Sequence, residues 1–399
     1  MVEVSPPISP PWHDQWLRAL AAAPDGSSYA LFGRMYCAGQ AGCFDSVVLF
    51  HYLSDGNLDP SFGGPQGYFE LPNEGKSVPV LAVDSAGRPV IARSEEGEMR
   101  VWRLTRSGVL DPTFDGDGFL SFECACIYGQ GQLAPGPGGT LSVGFSEIRQ
   151  GAGRYGFGQT GTITTVVRLR ADGSRVASFG TDGSSTFGLV GTEPFGTSAV
   201  GRGGALYLAG GGCCSSPLPG YVTRLSAKGK FDRRFTAAAR RALRPLSKFV
   251  TFSGSVNAVL IRRRGKIDLL GAAGYEHGFM LRLRPNGQPD RRFGKNGLRI
   301  LPFPIASAAL GSEGAVMAVS AEGVRAGGIV VRILPNGRLD RRFGRERVPD
   351  GEADHGMSIV TQKGRTALVL DRGLQECRGY CGEDPKLVRY LEVPRRNRR

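Results

Sequence analysis

The sequence predicts an all-β fold, a seven-bladed β-propeller of four-stranded antiparallel blades. Three observations carry that expectation: one motif recurs in a fixed frame along most of the 399 residues, apolar residues alternate with period two, and glycine is abundant. Sixty glycines and twenty-five prolines disfavour long helices, while 41% hydrophobic residues suffice for a packed core. A four-stranded sheet cannot bury both of its faces, so its copies must stack; repeats of this kind close radially into propellers and leave only short edges.

The motif begins with FHYLSDGNLDPSFGGPQG around Phe62 and VWRLTRSGVLDPTFDGDG around Phe114. It continues as VVRLRADGSRVASFGTDG near Phe179, VTRLSAKGKFDRRF near Phe235, MLRLRPNGQPDRRFGKNG near Phe293 and VVRILPNGRLDRRFG near Phe343. Phe279, Leu281 and Leu283 alternate with Arg282 and Arg284, the period of a strand. The pairs Asp55-Gly56, Asp172-Gly173, Asn286-Gly287 and Asn336-Gly337 supply the left-handed backbone of tight turns. Upstream of each copy lies an apolar run, a Gly-containing turn and another apolar run, as in Val80 to Ala92 and Asn257 to Gly271. That unit also opens the chain, in LRALAAAPDGSSYALFG, and returns in Met357 to Asp371 before KLVRYLEV, giving a seventh, incomplete repeat.

The domain organisation expected is a Pro-rich segment 1–11, a propeller over 12–393 and a basic tail over 394–399. The last repeat lacks a fourth strand, and residues near Val2 to Pro10, or a segment just after them, are expected to complete it.

The RLxxDG strand end followed by LDxSFG resembles the delta-60 repeat family of bacterial proteins. The motif Asp falls on Asp59, Asp111, Asp232, Asp290 and Asp340, and the motif Phe on Phe62, Phe114, Phe179, Phe235, Phe293 and Phe343. The third repeat departs by placing Val176 at the Asp position. The resemblance implies a propeller-like fold and bacterial origin and transfers no catalytic residue. From chemistry alone, the Phe should fill the space between blades, and the Asp should accept amides of its turn. A recurrent third-strand Arg (Arg103, Arg168, Arg224, Arg282, Arg332, Arg389, with His51 in the first repeat) should pair with that Asp.

In an up-and-down blade the 1–2 and 3–4 turns share one end and the 2–3 loops and inter-blade links the other. By that parity Cys37 and Cys43, Cys124 and Cys126, Cys213 and Cys214, and Cys377 and Cys381 fall on one face in four local pairs. Disulfides in an oxidising compartment are expected, hence an extracellular or cell-surface location. A Cys₄ zinc site from Cys37, Cys43, Cys377 and Cys381 is disfavoured, because five residues separate the first pair where zinc knuckles have roughly two to four. Asp115-Gly116-Asp117-Gly118 lacks the ligand series of an EF-hand. The four histidines (His13, His51, His277, His355) are scattered, and the sequence has no nucleophile elbow, phosphate-binding glycine loop or HExxH. No catalytic residue, metal or cofactor is therefore assigned.

The formal charge is +14. On the face opposite the cysteines, Arg233, Arg234, Arg262, Arg263, Arg264, Arg291, Arg292, Arg341 and Arg342 form a basic arc over three repeats. It is a candidate site for an anionic polymer or protein, since Arg binds phosphate and carboxylate bidentately; the alternative is an ordinary solvated surface. Nucleic acid is disfavoured, as no aromatic platform accompanies the arginines. No stretch approaches the roughly 18 to 20 apolar residues of a membrane span, and 1–30 lacks a signal-peptide pattern. The expectation is a soluble, monomeric, non-enzymatic binding or scaffold propeller; the alternative is a hydrolase or lactonase-like enzyme with its site in the central funnel.

Overall fold

A computed structural model describes residues 2–4, 15–37, 43–71, 78–95, 97–124, 131–150, 160–190, 192–212, 220–249, 254–320, 328–343, 345–347, 358–362, 365–370 and 386–391. The chain is all-β with a β-propeller arrangement of antiparallel sheets and, among the described residues, one α-helix.

A short strand β1 (Val2–Val4) precedes the repeats. The first sheet is β2 (Gln15–Ala22), β3 (Ser28–Cys37), β4 (Cys43–Tyr52) and β5 (Phe69–Leu71), paired in sequence order. The same order recurs in β6 (Val80–Val83), β7 (Pro89–Glu95), β8 (Glu98–Arg103) and β9 (Phe119–Glu123). It recurs again in β10 (Gln132–Pro135), β11 (Leu141–Gln150), β12 (Thr160–Leu169) and β13 (Ser184–Val190). The next two repeats share a seven-stranded sheet: β14 (Thr192–Val200), β15 (Leu206–Gly212) and β16 (Gly220–Leu225), then β17 (Gly254–Ile261), β18 (Ile267–Ala273), β19 (His277–Leu283) and β20 (Leu298–Leu301). They join where Gly211 and Gly212 pair with Ser255 and Gly254. A further sheet comprises β21 (Ser307–Leu310), β22 (Val316–Ser320), β23 (Ile329–Ile333) and β24 (Arg345–Arg347). In the last, β25 (Ser358–Gln362), β26 (Arg365–Leu370) and β27 (Lys386–Leu391) are joined by β1, whose Val2, Glu3 and Val4 pair antiparallel with Tyr390, Arg389 and Val388.

The chain divides into two compact units. One comprises 1–74, 105–109 and 306–399, and the other 75–104 and 110–305. The second unit has an apolar core running from sheet to sheet: Val90, Ala92, Met99 and Val101 pack with Leu141, Val143 and Val167, and Ala134, Val166 and Phe179 pack with Leu206, Leu208 and Tyr221. In the first unit Leu20, Ala30, Phe32, Val48, Phe50 and Tyr52 of one sheet form a cluster against which Val360 of β25 packs.

The repeat motif is a packing device. All six motif phenylalanines are at most 6% exposed. The amide following the Phe donates to the carbonyl before the turn glycine of the next repeat: Gly63 to Ser107 at 2.8 Å, Asp115 to Asp172 at 2.9 Å and Gly180 to Lys228 at 2.9 Å. Gly108, at φ +85°, shows why that turn needs glycine, since a Cβ there would lie 2.5 Å from the Gly63 nitrogen and 2.8 Å from the Phe62 ring.

One repeat departs from four strands. Where the fourth strand should follow Phe235, the chain forms α1 (Arg233–Leu243), continued by a 3-10 turn over Arg244–Phe249. Elsewhere glycines at positive φ, such as Gly118 and Gly297, turn the chain back into a strand after the Phe. Here TAAARRAL follows instead, a run of strong helix formers. Asp232 caps the helix by accepting the Phe235 amide at 2.8 Å. Phe235, Ala239, Ala242, Leu243 and Leu246 enter a core with Tyr207, Val222, Leu269 and Leu281. The helix packs on β16, with the Thr223 and Thr236 hydroxyls 2.7 Å apart, and so covers an edge that would otherwise be left open.

Candidate functional site

In several repeats the third-strand Arg, the motif Asp and the motif Phe assemble as the chemistry suggests. Arg103 Nε donates to Asp111 Oδ2 at 2.9 Å, Arg332 Nη1 to Asp340 at 2.7 Å, and Arg224 to Asp232. In the first repeat His51 Nδ1 lies 2.9 Å from Asp59 Oδ2. Four guanidiniums cover the Phe ring of their own repeat, at 4.6 Å for Arg103 and Phe114, 4.3 Å for Arg168 and Phe179, 4.9 Å for Arg224 and Phe235, and 4.1 Å for Arg282 and Phe293. The same Arg reaches the next repeat: Arg103 donates to the Ala171 carbonyl, Arg168 to that of Ala227 and Arg224 to that of Pro285, equivalent turn positions. The Asp accepts its turn amide, as Asp111 does from Thr113 at 3.0 Å and Asp340 from Arg342 at 3.0 Å. These recurrent residues are consumed by structure.

Two expectations are corrected here. Arg282 does not pair with Asp290; its Nε and Nη2 donate to Asp268 at 2.7 and 3.1 Å. Asp268 is fully buried, and a carboxylate there requires charged partners, so it also draws in Arg262. Arg262 thereby leaves the basic arc. Asp290 is compensated by Lys266 at 2.6 Å, as Asp111 is further held by Arg88 at 2.9 Å. Both contacts join a 1–2 turn to the 3–4 turn of the same sheet, which puts those turns at one end.

The carboxyls respond accordingly. For Asp111 burial would raise the pKa, but the Thr113 hydroxyl and amide with Arg103 and Arg88 reverse it and hold the group below the ordinary carboxylate range. Asp59, Asp232 and Asp340 are lowered in the same way against burial, through Ser61 and His51, through the Phe235 amide and Arg224, and through Arg332. Asp290 is lowered chiefly by its hydrogen bond from Lys266.

The surviving arc residues are exposed. Arg263, Arg264, Arg291 and Arg292 lie at the 1–2 and 3–4 turns of the β17–β20 repeat. Arg264 occupies φ +61°, where the equivalent turn of the third repeat has Gly138 at +68°. Arg341 and Arg342 are exposed in the other unit. Arg233 and Arg234 are exposed but stand in the first turn of α1 rather than in a strand-joining turn, because the fourth strand is replaced.

The helix and the 3-10 turn after it add cations that the repeat frame concealed: Arg240, Arg241, Arg244 and Lys248, all exposed. A charge count would have found them. From Arg224 to Arg299 there are nineteen Lys and Arg against four Asp and Glu, so this stretch contains the chain's whole +14 excess. Of its four acids Asp268 and Asp290 are buried, Asp232 caps α1, and the exposed Glu276 lies in the β18–β19 hairpin at the opposite end of the sheet.

At that opposite end of the second sheet, unforeseen in the sequence, Arg93 and Arg100 close on buried Glu95, and Arg100 Nε also meets Glu98 at 3.2 Å. The two cations and the two acids balance in charge. Cys37 and Cys43 are direct partners in the β3–β4 register, and facing residues of antiparallel strands have Cα separations of about 4.5–5.5 Å, within disulfide range. Cys124, just after β9, is disulfide-bonded. Cys126, Cys213, Cys214, Cys377, Cys381, His13, His355 and the tail over 394–399 also lie outside them. His277 opens β19 and packs on Phe249 at 4.9 Å. Among the described residues no group of three or more His, Cys, Asp or Glu is placed to hold a metal ion, Asp115 and Asp117 included. No described helix is long and apolar enough to cross a membrane.

Fold and surface together define a repeat-built propeller protein with its positive charge gathered on one segment. No family model matches the chain, and no curated protein does. Similar solved structures include the polysaccharide lyase Uly1, with TM-score 0.48 and 10% identity over 96% of this chain and 90% of that one. Another is prolyl oligopeptidase B from Galerina marginata, with TM-score 0.47 and 12% identity over 97% of this chain. A mutant of the same enzyme bound to a 35mer hydrolysis and macrocyclization substrate gives TM-score 0.49 and 12% identity over 96% of this chain. This chain spans half the length of those oligopeptidase chains. None of these likenesses reaches a TM-score of 0.5, and none bears on what this chain binds.

Proposed function

We propose that this chain is a non-catalytic binding propeller of seven repeats that engages an anionic partner through the exposed cations of its fourth and fifth repeats. The observation that carries the reading is charge segregation: the whole positive excess falls between Arg224 and Arg299, while the acids of that stretch are buried, capping or at the far end. Self-repulsion makes such clustering unfavourable unless a counter-charge arrives. The seven-repeat count rests on the six motif copies and the terminal β25–β27 sheet that β1 joins. Kinship with delta-60 repeats rests on the motif itself, and export on the paired cysteines.

The test is equilibrium binding of the full chain to anionic polymers at rising salt. Binding should weaken steadily with salt, through counterion release. It should also weaken in an Arg263→Gln, Arg264→Gln, Arg291→Gln, Arg292→Gln variant that melts like the parent. Failure to bind any polyanion at low salt would remove the reading.

A further inference from the structure

We propose that the exposed face of α1 is a docking strip for a linear acidic polysaccharide, one bearing carboxylate or sulfate groups; the inference rests on the anionic-partner reading above and names the partner's class. Arg233, Arg234, Arg240 and Arg241 are exposed on α1, and Arg244 and Lys248 are exposed on the 3-10 turn that continues it. None of the six forms an ion pair among the described residues. The five arginines therefore lack a counter-ion among those residues, and Lys248 lies over the Phe249 ring at 4.9 Å.

Helix stability does not account for them. Arg240 and Arg241 suit the last turn, but Arg233 and Arg234 occupy a first turn that contains no acidic residue, where the helix dipole disfavours positive charge. Only the Asp232 cap offsets them. A helix in place of a strand also changes how charge is displayed. A strand sends alternate side chains to opposite faces of its sheet, whereas the seven-residue spacing of Arg233 from Arg240 and of Arg234 from Arg241 puts these four cations on one face of α1, in a row about 12 Å long.

Three features select the partner. The apolar face is occupied by the core through Phe235, Ala239, Leu243 and Leu246, so the helix has nothing to insert into a bilayer. No exposed aromatic residue interleaves the strip to stack bases. Five of the six cations are Arg, whose planar fork binds carboxylate and sulfate-like oxygens in pairs. A single row suits one extended chain of repeated charges.

The experiment measures binding of the full chain to labelled heparin, polygalacturonate, a short DNA duplex and phosphatidylglycerol vesicles. Two variants are compared: Arg240→Gln, Arg241→Gln, Arg244→Gln on the helix, and Arg341→Gln, Arg342→Gln in the other unit. Gln keeps helix propensity, and exposed unpaired side chains leave the melting temperature near the parent's. Heparin or polygalacturonate should bind the parent most tightly and the helix variant about tenfold or more weakly, with the other variant unchanged. Parental glycan affinity in the helix variant would overturn the docking strip while leaving the anionic-partner reading in place. Tighter binding to the duplex or the vesicles would overturn the glycan assignment, and no binding to any of the four would remove both readings.

Discussion

Arg168 reveals what the Arg–Asp–Phe constellation contributes, because its repeat lacks the acid. Its guanidinium lies over Phe179 and reaches Ser142 Oγ at 3.1 Å, the Gly204 carbonyl at 2.8 Å and the Ala227 carbonyl at 3.3 Å, all neutral. Burial without a counter-ion lowers its pKa. The backbone is nevertheless set for the Asp, since the Val176 amide donates to the Arg168 carbonyl as the Asp111 amide does to that of Arg103. Val176→Asp should therefore supply the missing partner and stabilise the chain by about 1 kcal/mol, less than a full charged hydrogen bond because Val176 also packs on the core. Urea unfolding at neutral pH measures it, and a destabilised variant would show that the packing of Val176 outweighs the pair.

At the scale of elements, α1 is the instructive departure. Its register within the repeat is held by Asp232, which caps the helix and pairs with Arg224. Those two tasks explain why the acid persists in a repeat that has lost its fourth strand. Asp232→Ala should cost about 2–3 kcal/mol, a lost cap together with an uncompensated Arg224. Far-ultraviolet circular dichroism and thermal melting read the two parts, and an unchanged melting temperature would show that the cap does not hold the helix.

At the scale of the molecule, the motif acids act together. Asp59, Asp111, Asp232, Asp290 and Asp340 all have lowered pKa values. A carboxyl lowered on folding contributes stability that is complete above its unfolded pKa, about 3.9, and is lost as pH falls through the folded value. The chain should thus keep its stability from neutral pH to about pH 4 and lose it steeply below, as repeats release their arginines. Melting temperature against pH tests this, and a flat profile through pH 3 would show that the acids are dispensable.

Much of this was legible before any coordinates. The alternation around Phe279 to Leu283 and the Asn-Gly and Asp-Gly turns determine local strands and hairpins, because both depend on side-chain periodicity and backbone freedom within a few residues. The recurrence of Arg, Asp and Phe at fixed spacing determined their mutual contact for the same reason. What only the tertiary structure decided follows from burial and from pairing across the fold: that Arg282 and Arg262 turn to the buried Asp268, and that β1 joins β27. Burial sets the need for a counter-ion, and burial is a property of the packed sheets rather than of any short stretch of chain.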